Sequence, residues 1–253
     1  MTSTSPGCLP AKDMDMLTST VATLHNNTAH GDDNYLVRPL GEHAYLDAVM
    51  DGVTGRRGAE ASREVVEALA AGSPTSLDDV VAVLEEVNRR LYGRGGGSWW
   101  LTTVAVTLCQ NGTLSVVSVG DSPVFLLRSE ACQLLYSRVS GFGLTSRARA
   151  LGAGPALRNP YRAEVTLEPG DRVLLVTDGV SENLPRHELI EAVQRAETPD
   201  AAVAQLNALL GGRQAAGTDF RPDDWTAIVR FFSRAEALTG QEPLRSQPSS
   251  HAV

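Results

Sequence analysis

Residues 102–121 read TTVAVTLCQNGTLSVVSVGD. Two runs rich in Val, Thr and Leu are joined at Asn111-Gly112. Asn-Gly is the strongest short hairpin signal, because both residues tolerate the positive φ that a tight two-residue turn demands. The stretch predicts an antiparallel pair of strands ending at Gly120-Asp121. The same signature continues outward. VFLLRSEACQLLYS (124–137) predicts a second hairpin turning near Ser129-Glu130. YRAEVTLEPGDRVLLVTDG (161–179) predicts a further pair turning at Pro169-Gly170, with Asp171 as a turn residue. WTAIVRFF (225–232) closes the series as a last strand.

Two segments carry helical spacing instead. Gly58–Ala71 and Leu77–Tyr92 place apolar residues at i, i+3, i+4 and i+7, with Ser76 or Asp78 available to cap the second. Further helices are expected at about Arg186–Ala196 and Pro199–Leu210. Hairpins in series with helices in adjacent pairs predict an α+β fold of antiparallel sheets covered by helices, not the β-α-β rhythm of a doubly wound parallel sheet. We expect one domain over residues 18–233. The Ser/Thr/Pro/Gly composition of residues 1–17 predicts a flexible tail, and that of 234–253 a disordered one.

Of 253 residues, 42% are hydrophobic, and 30 Asp+Glu outweigh 22 Lys+Arg to give a net charge of −8. An acidic chain with a pI near 5.1 lacks the basic footprint of a nucleic-acid binder. No run of 18 apolar residues exists and mean hydropathy is −0.11, so no membrane span is expected. No basic-then-apolar leader is visible, and three cysteines (Cys8, Cys109, Cys132) suit a reducing compartment, so a cytoplasmic protein is expected.

The acidic excess is either a solubility surface or a set of carboxylates gathered around cations. Its placement is informative. Asp32-Asp33, Asp51, Asp121, Asp178 and Asp223-Asp224 each stand at the end of an apolar run, several beside Gly. A buried carboxylate is costly unless its charge is paired, and several together repel. Hard divalent cations resolve both problems. A single Asp-Gly is most often only a turn, so this pattern alone leaves both readings open.

Rival motifs are weaker. GRGGGS (93–98) follows a helix and lacks the phosphate-loop Lys, so it reads as a flexible loop. Trp99 and Trp100 read as sheet core or rim, and Ser118 and Ser122 have no His at triad spacing.

Taken in order, these motifs resemble the PPM (PP2C-like) family of metal-dependent Ser/Thr protein phosphatases, from about Val21 to Phe232. GDDNYLV resembles the family's N-E-D-x-x-x-V segment, with Asp33 at the metal Asp and Asp32 at the Glu. AVMDGVTGRRGAEAS resembles A-D-G-x-G-G-x-x-x-G-x-x-A-S, with Asp51 at the bridging ligand and Gly52 lending its carbonyl. LSVVSVGDSPVFLLR, LLVTDGVSENL and PDDWTAIVRF resemble the V-G-D-S-R, L-L-x-S-D-G-L and D-N/D-x-T segments, with Asp178 and Asp223 as ligands.

The resemblance implies a four-layer αββα sandwich of two antiparallel sheets flanked by helix pairs. It implies two Mn²⁺ or Mg²⁺ ions held mainly by Asp33, Asp51, Asp178 and Asp223, and a metal-bridging water that attacks phosphorus. A weaker third ion would use Asp121, with Glu182 where the family usually has Asp. The implied substrates are proteins phosphorylated by Ser/Thr kinases, and the implied state is a monomer.

The sequence also departs from the family. The phosphate-binding Arg is replaced by Thr28, for which His25, His30, Arg56 and Arg57 are candidate substitutes. The Gly pair reads Thr54-Gly55, and Pro123 follows V-G-D-S. The D-H-S segment before the flap is absent, so LLYSRVSGFGLTSRARALG runs almost directly to Arg149-Ala150-Leu151-Gly152 and implies a short flap. Val53 follows Asp51-Gly52, and the loop lacks the proton-donor His of eukaryotic members, as is common in bacterial ones. These departures leave three readings: a bacterial-type protein phosphatase, a PPM-fold pseudophosphatase that binds or regulates a partner, and a phosphatase for a small phosphate ester.

Overall fold

The structure, a computed structural model, describes residues 17–136, 150–217 and 219–235. The predicted tails, apart from Leu17, Arg234 and Ala235, and residues 137–149 of the flap segment lie outside these residues.

Ten strands form two five-stranded antiparallel sheets. The first runs β1 (Leu17–Asn26), β10 (Trp225–Arg234), β9 (Arg172–Val176), β6 (Val124–Arg128), β7 (Ala131–Leu134). The second runs β2 (Asn34–Gly41), β3 (Ala44–Met50), β4 (Val104–Gln110), β5 (Thr113–Val119), β8 (Tyr161–Thr166). Helices α1 (Gly58–Ala71) and α2 (Leu77–Gly95) lie between β3 and β4; α3 (Asp178–Ser181), α4 (Arg186–Gln194) and α5 (Pro199–Ala216) lie between β9 and β10.

Strand alternation builds the layers. On β4, Val104, Val106 and Leu108 join Leu69, Leu84 and Leu91 of α1 and α2 in one core. Their neighbours Ala105 and Cys109 face the other way, with Val116 of β5, onto Leu126, Leu175 and Ile228 of the opposite sheet. A third core sits under α4 and α5, where Leu189, Leu206 and Leu210 meet Leu174, Val176 and Val229. The central strands are therefore buried on both faces, which is why they read as continuous apolar runs. The result is the four-layer αββα sandwich.

Local chemistry accounts for the elements. Asn111 (φ 50°) and Gly112 (φ 71°) make the β4–β5 turn, and Ser129 (φ 51°) turns β6 into β7. The Ser76 hydroxyl accepts the Asp79 N–H at 3.1 Å and starts α2, which runs on past Tyr92 to Gly95. Thr198 caps α5 in the same way, with Pro199 at the first position.

One prediction is overturned. The pair around Pro169-Gly170 is not a hairpin: β8 pairs with β5, whereas β9 pairs with β10 and β6 in the other sheet. The turn carries the chain between sheets. Arg128 anchors it by donating two hydrogen bonds, each 2.7 Å, to the fully buried carboxylate of Asp171. Half-exposed β8 closes an edge, while buried β9 is central.

The sheets are also joined by a buried ion pair that sequence spacing does not reveal. Arg230 of β10 donates to both oxygens of Asp47 of β3, at 2.6 and 2.8 Å. Cys109 and Cys132 are free thiols. No helix among the described residues is long and apolar enough to cross a membrane.

Candidate metal centre

The acidic strand ends meet at one end of the sandwich. Asp33 enters β2, Asp51 leaves β3, Asp121 leaves β5, Asp178 opens α3 after β9, and Asp223 precedes β10. Main-chain ties fix these corners. The carbonyl of Asp51 accepts the Thr103 N–H at 2.8 Å and the Thr102 hydroxyl at 2.9 Å. Gly52 bridges to Thr102, and a Cβ on it would stand 2.6 Å from the Asp32 carbonyl oxygen, so only glycine lets the loops close.

The charges interact strongly. Asp33 is 2% exposed, and its carboxyl is pushed up to about 7 by burial. The hydroxyls of Thr226 and Thr177, donating to Oδ2 at 2.7 and 2.8 Å, work against that rise, while Asp224 and Asp178 add to it. Asp51 lies well above the usual carboxylate range through burial and the charges of Asp178, Asp33 and Asp121, and it hydrogen-bonds to Asp178. Asp178 is raised by burial, then by Asp223 and Asp121, against the pull of the Asp51 hydrogen bond and Arg221.

Such a set of buried oxygen donors, mutually repelling and sharing a proton, fits hard divalent cations. Among the described residues no three His, Cys, Asp or Glu side chains already converge in ligating geometry.

The other sequence candidates divide. Asp32 turns its Oδ1 to the Ala59 N–H at 3.0 Å, at the start of α1. Glu182 pairs with Arg221. With Asp121, Asp178, Phe125, Tyr136 and Arg186, Glu182 lines a cavity of about 340 Å³. His30 Nδ1 is 3.1 Å from Asp223 Oδ1.

His25 lies 3.0 Å from the Thr226 hydroxyl, which already donates to Asp33, so His25 Nδ1–H is the donor there. Burial lowers the His25 imidazole pKa, with Asp224 opposing, which favours a neutral ring and weakens its candidacy as an anion binder. Arg56 and Arg57 stack on Trp99 and Trp100 at 5.2 and 5.8 Å, and Arg57 also pairs with Glu60 at 2.8 Å.

Sequence reasoning named Asp224 only as half of a doublet, and it missed Thr177 and Thr226. Asp224 is buried and accepts the N–H groups of Ala29 and Asp32 at 2.9 Å and of His30 at 3.0 Å, shaping the loop that delivers Asp33. The Asp-Asp doublet was visible, but not which member faces the loop. The threonines stand beside recognised acids, with no signal beyond that position.

The comparisons with known proteins agree with this architecture. PppA, described as a key regulatory component of T6SS in Pseudomonas aeruginosa, superposes with a TM-score of 0.71 at 24% identity, over 85% of this chain and 97% of its own. The catalytic domain of the serine/threonine protein phosphatase PstP, in complex with two manganese ions, gives 0.66 at 23% identity over 86% and 99%. The serine/threonine phosphatase Stp1 from Staphylococcus aureus gives 0.70 at 17% over 88% and 99%. No curated protein matches the chain in sequence. The profile of Stage II sporulation protein E (SpoIIE) matches residues 45–231, so the chain belongs to the SpoIIE family, with a PP2C-like phosphatase domain.

Proposed function

We propose that this protein is a metal-dependent phosphatase that hydrolyses phospho-Ser/Thr on proteins. The observation that carries the reading is the buried Asp33–Asp51–Asp178 cluster, whose carboxyls are raised by burial and by neighbouring carboxylates, with Arg221 opposing the rise at Asp178. Uncompensated buried acids cost stability, so their assembly at one sheet end argues for use. Asp33, Asp51, Asp178 and Asp223 would hold two Mn²⁺ or Mg²⁺ ions, with the Gly52 carbonyl assisting and Asp32, Asp121 and Glu182 at the periphery. Bound there, the cations supply charge neutralisation for the phosphoryl group and an acidified water as nucleophile.

The chain's own residues position and shield. Thr177 and Thr226 direct Asp33, Thr102 and Thr103 fix Asp51, and Asp224 shapes the 29–32 loop. Of the four candidate phosphate contacts, His30 alone is tied to a proposed ligand, Asp223.

A second reading, a regulatory pseudophosphatase, draws on Thr28, whose hydroxyl is spent on Asn26 at 2.6 Å and offers no cation. The regulatory description of PppA supports the same reading. Turnover separates the two. Hydrolysis of p-nitrophenyl phosphate and of a phosphoserine peptide, dependent on Mn²⁺ and abolished in Asp51→Asn, is expected. Mn²⁺ binding with no turnover would establish the second reading instead.

A further inference from the structure

The loop that follows Asp51 ends in a cationic and aromatic surface that the metal centre does not use. Trp99 is 50% exposed, the one large apolar side chain so exposed among the described residues. The Arg56 guanidinium lies 5.2 Å from its ring centroid. Next to it, Trp100 is flanked by Arg57 at 5.8 Å and Arg94 at 5.1 Å.

The backbone holds this arrangement under strain. Arg57 (φ 56°) and Trp100 (φ 60°) both occupy the left-handed region that side chains other than glycine's rarely adopt. Such conformations persist only where surrounding structure over-determines them, and they concentrate at functional surfaces. Here the stitching is visible: the Arg56 carbonyl accepts the N–H groups of Trp100 at 2.7 Å and Leu101 at 3.2 Å. The same strand of chain continues to Thr102 and Thr103, which hold Asp51.

The charges point to the class of ligand. Arg57 and Arg94 are paired with Glu60 and Glu64. Arg56 has no carboxylate partner among the described residues and spends only Nη1, on the Ser98 carbonyl at 3.2 Å. Locally, a stacked guanidinium without a carboxylate partner beside a half-exposed indole is complementary to an acidic peptide. A carboxylate would meet the planar donor fork, and a neighbouring side chain would cover the ring.

We propose that Trp99 and Arg56 form a docking surface for an acidic peptide segment of the substrate protein, continuous with the Asp51 loop. Calling that peptide part of a substrate rests on the phosphatase reading; its binding does not.

Two phosphoserine peptides of equal length, one flanked by glutamates and one by serines, test this with Mn²⁺ present. The wild type is expected to favour the glutamate peptide by about fivefold in kcat/KM, in keeping with one exposed cation–π and charge contact. Trp99→Ala and Arg56→Glu should erase the preference, and Trp99→Phe should keep most of it. Equal use of both peptides by the wild type, or a preference that survives in Arg56→Glu, overturns the proposal.

If neither peptide is hydrolysed, the phosphatase reading falls. Fluorescence anisotropy of a labelled, unphosphorylated glutamate peptide then decides: weaker binding by Arg56→Glu supports docking, and equal or absent binding refutes it. Tighter binding to phosphatidylserine vesicles than to the peptide, lost in the same variants, would assign the surface to lipid and overturn the proposal.

Discussion

Asp224 accepts the main-chain N–H of Asp32 at 2.9 Å, and through its other oxygen those of Ala29 and His30. A residue just before β10 thus folds the loop that places Asp33. Burial acts to raise its pKa, but the N–H groups of His30, Asp32, Ala29 and Gly31 outweigh it, and the carboxyl sits below its ordinary value. Asp224→Ala orphans these donors and should cost about 2–3 kcal/mol. It should also weaken Mn²⁺ binding, while Asp224→Asn recovers part of both. Thermal melts and calorimetric Mn²⁺ titration check this.

Gly179 packs against the carbonyl of Asp224, so closely that an added Cβ would overlap that oxygen, and it would also lie 3.2 Å from the Asp223 Cβ. Gly179→Ala must push α3 away from the β10 corner and separate Asp178 from Asp223. A loss of stability of about 1–3 kcal/mol is expected from the overpacking. Mn²⁺ binding should fall further than that loss explains, as read by denaturant melts with and without metal.

The pH dependence follows from Asp33, whose pKa rises to about 7. The metal-free folded state holds a proton that the unfolded chain releases near 4, so this contribution to stability is complete below that value. It is lost as pH rises through about 7. Metal ligands must ionise, so Mn²⁺ affinity runs the other way, climbing as pH rises through about 7. The Mn²⁺-induced shift in Tm, followed between roughly pH 5 and 8, should grow with pH.

Thr226 and Thr177 hold Asp33 Oδ2 at 2.7 and 2.8 Å and oppose its upward shift. Thr226→Val removes one donor to the carboxylate. The pH midpoint for Mn²⁺ binding should rise by about half to one unit, the equivalent of one such hydrogen bond. Thr177→Val should act in the same direction, whereas Thr226→Ser should restore the wild-type midpoint. An unmoved midpoint in Thr226→Val would remove the hydroxyls from this role.

Arg230 is 4% exposed and locks the two sheets through Asp47, while also donating to Ser19 Oγ at 2.7 Å. Asp47→Ala strands a buried guanidinium and should cost about 3–5 kcal/mol. Replacing both residues together, as Asp47→Leu with Arg230→Met, removes the charges as a pair and should cost less than the single change. Chemical denaturation of the three proteins resolves the difference.

The parts of the fold that local chemistry dictates were legible in advance. Asn111-Gly112 marked its hairpin because its turn needs two positive φ angles, and α1 was legible from its apolar period over Gly58–Ala71. The acids of the candidate site were legible because each ends an apolar run. What that pattern could not show is which side chain each acid meets. The Oδ1 of Asp32 accepts the Ala59 N–H at the start of α1, and Asp224, the second member of its own doublet, organises the 29–32 loop.

The turn at Pro169-Gly170 shows the boundary most clearly. Its residues determined that the chain would reverse there, because proline and glycine set the local dihedrals. Whether β8 and β9 would pair or part was decided elsewhere, by partners distant in sequence: β5 took one strand, β10 and β6 took the other, and Arg128 buried Asp171 between them. The Asp47–Arg230 pair is of the same kind, joining residues 183 positions apart. Periodicity and turn chemistry act over a few residues and are written in the order of the amino acids. Strand partners, buried ion pairs and the mutual repulsion of Asp33, Asp51 and Asp178 depend on distances that exist only once both sheets have packed.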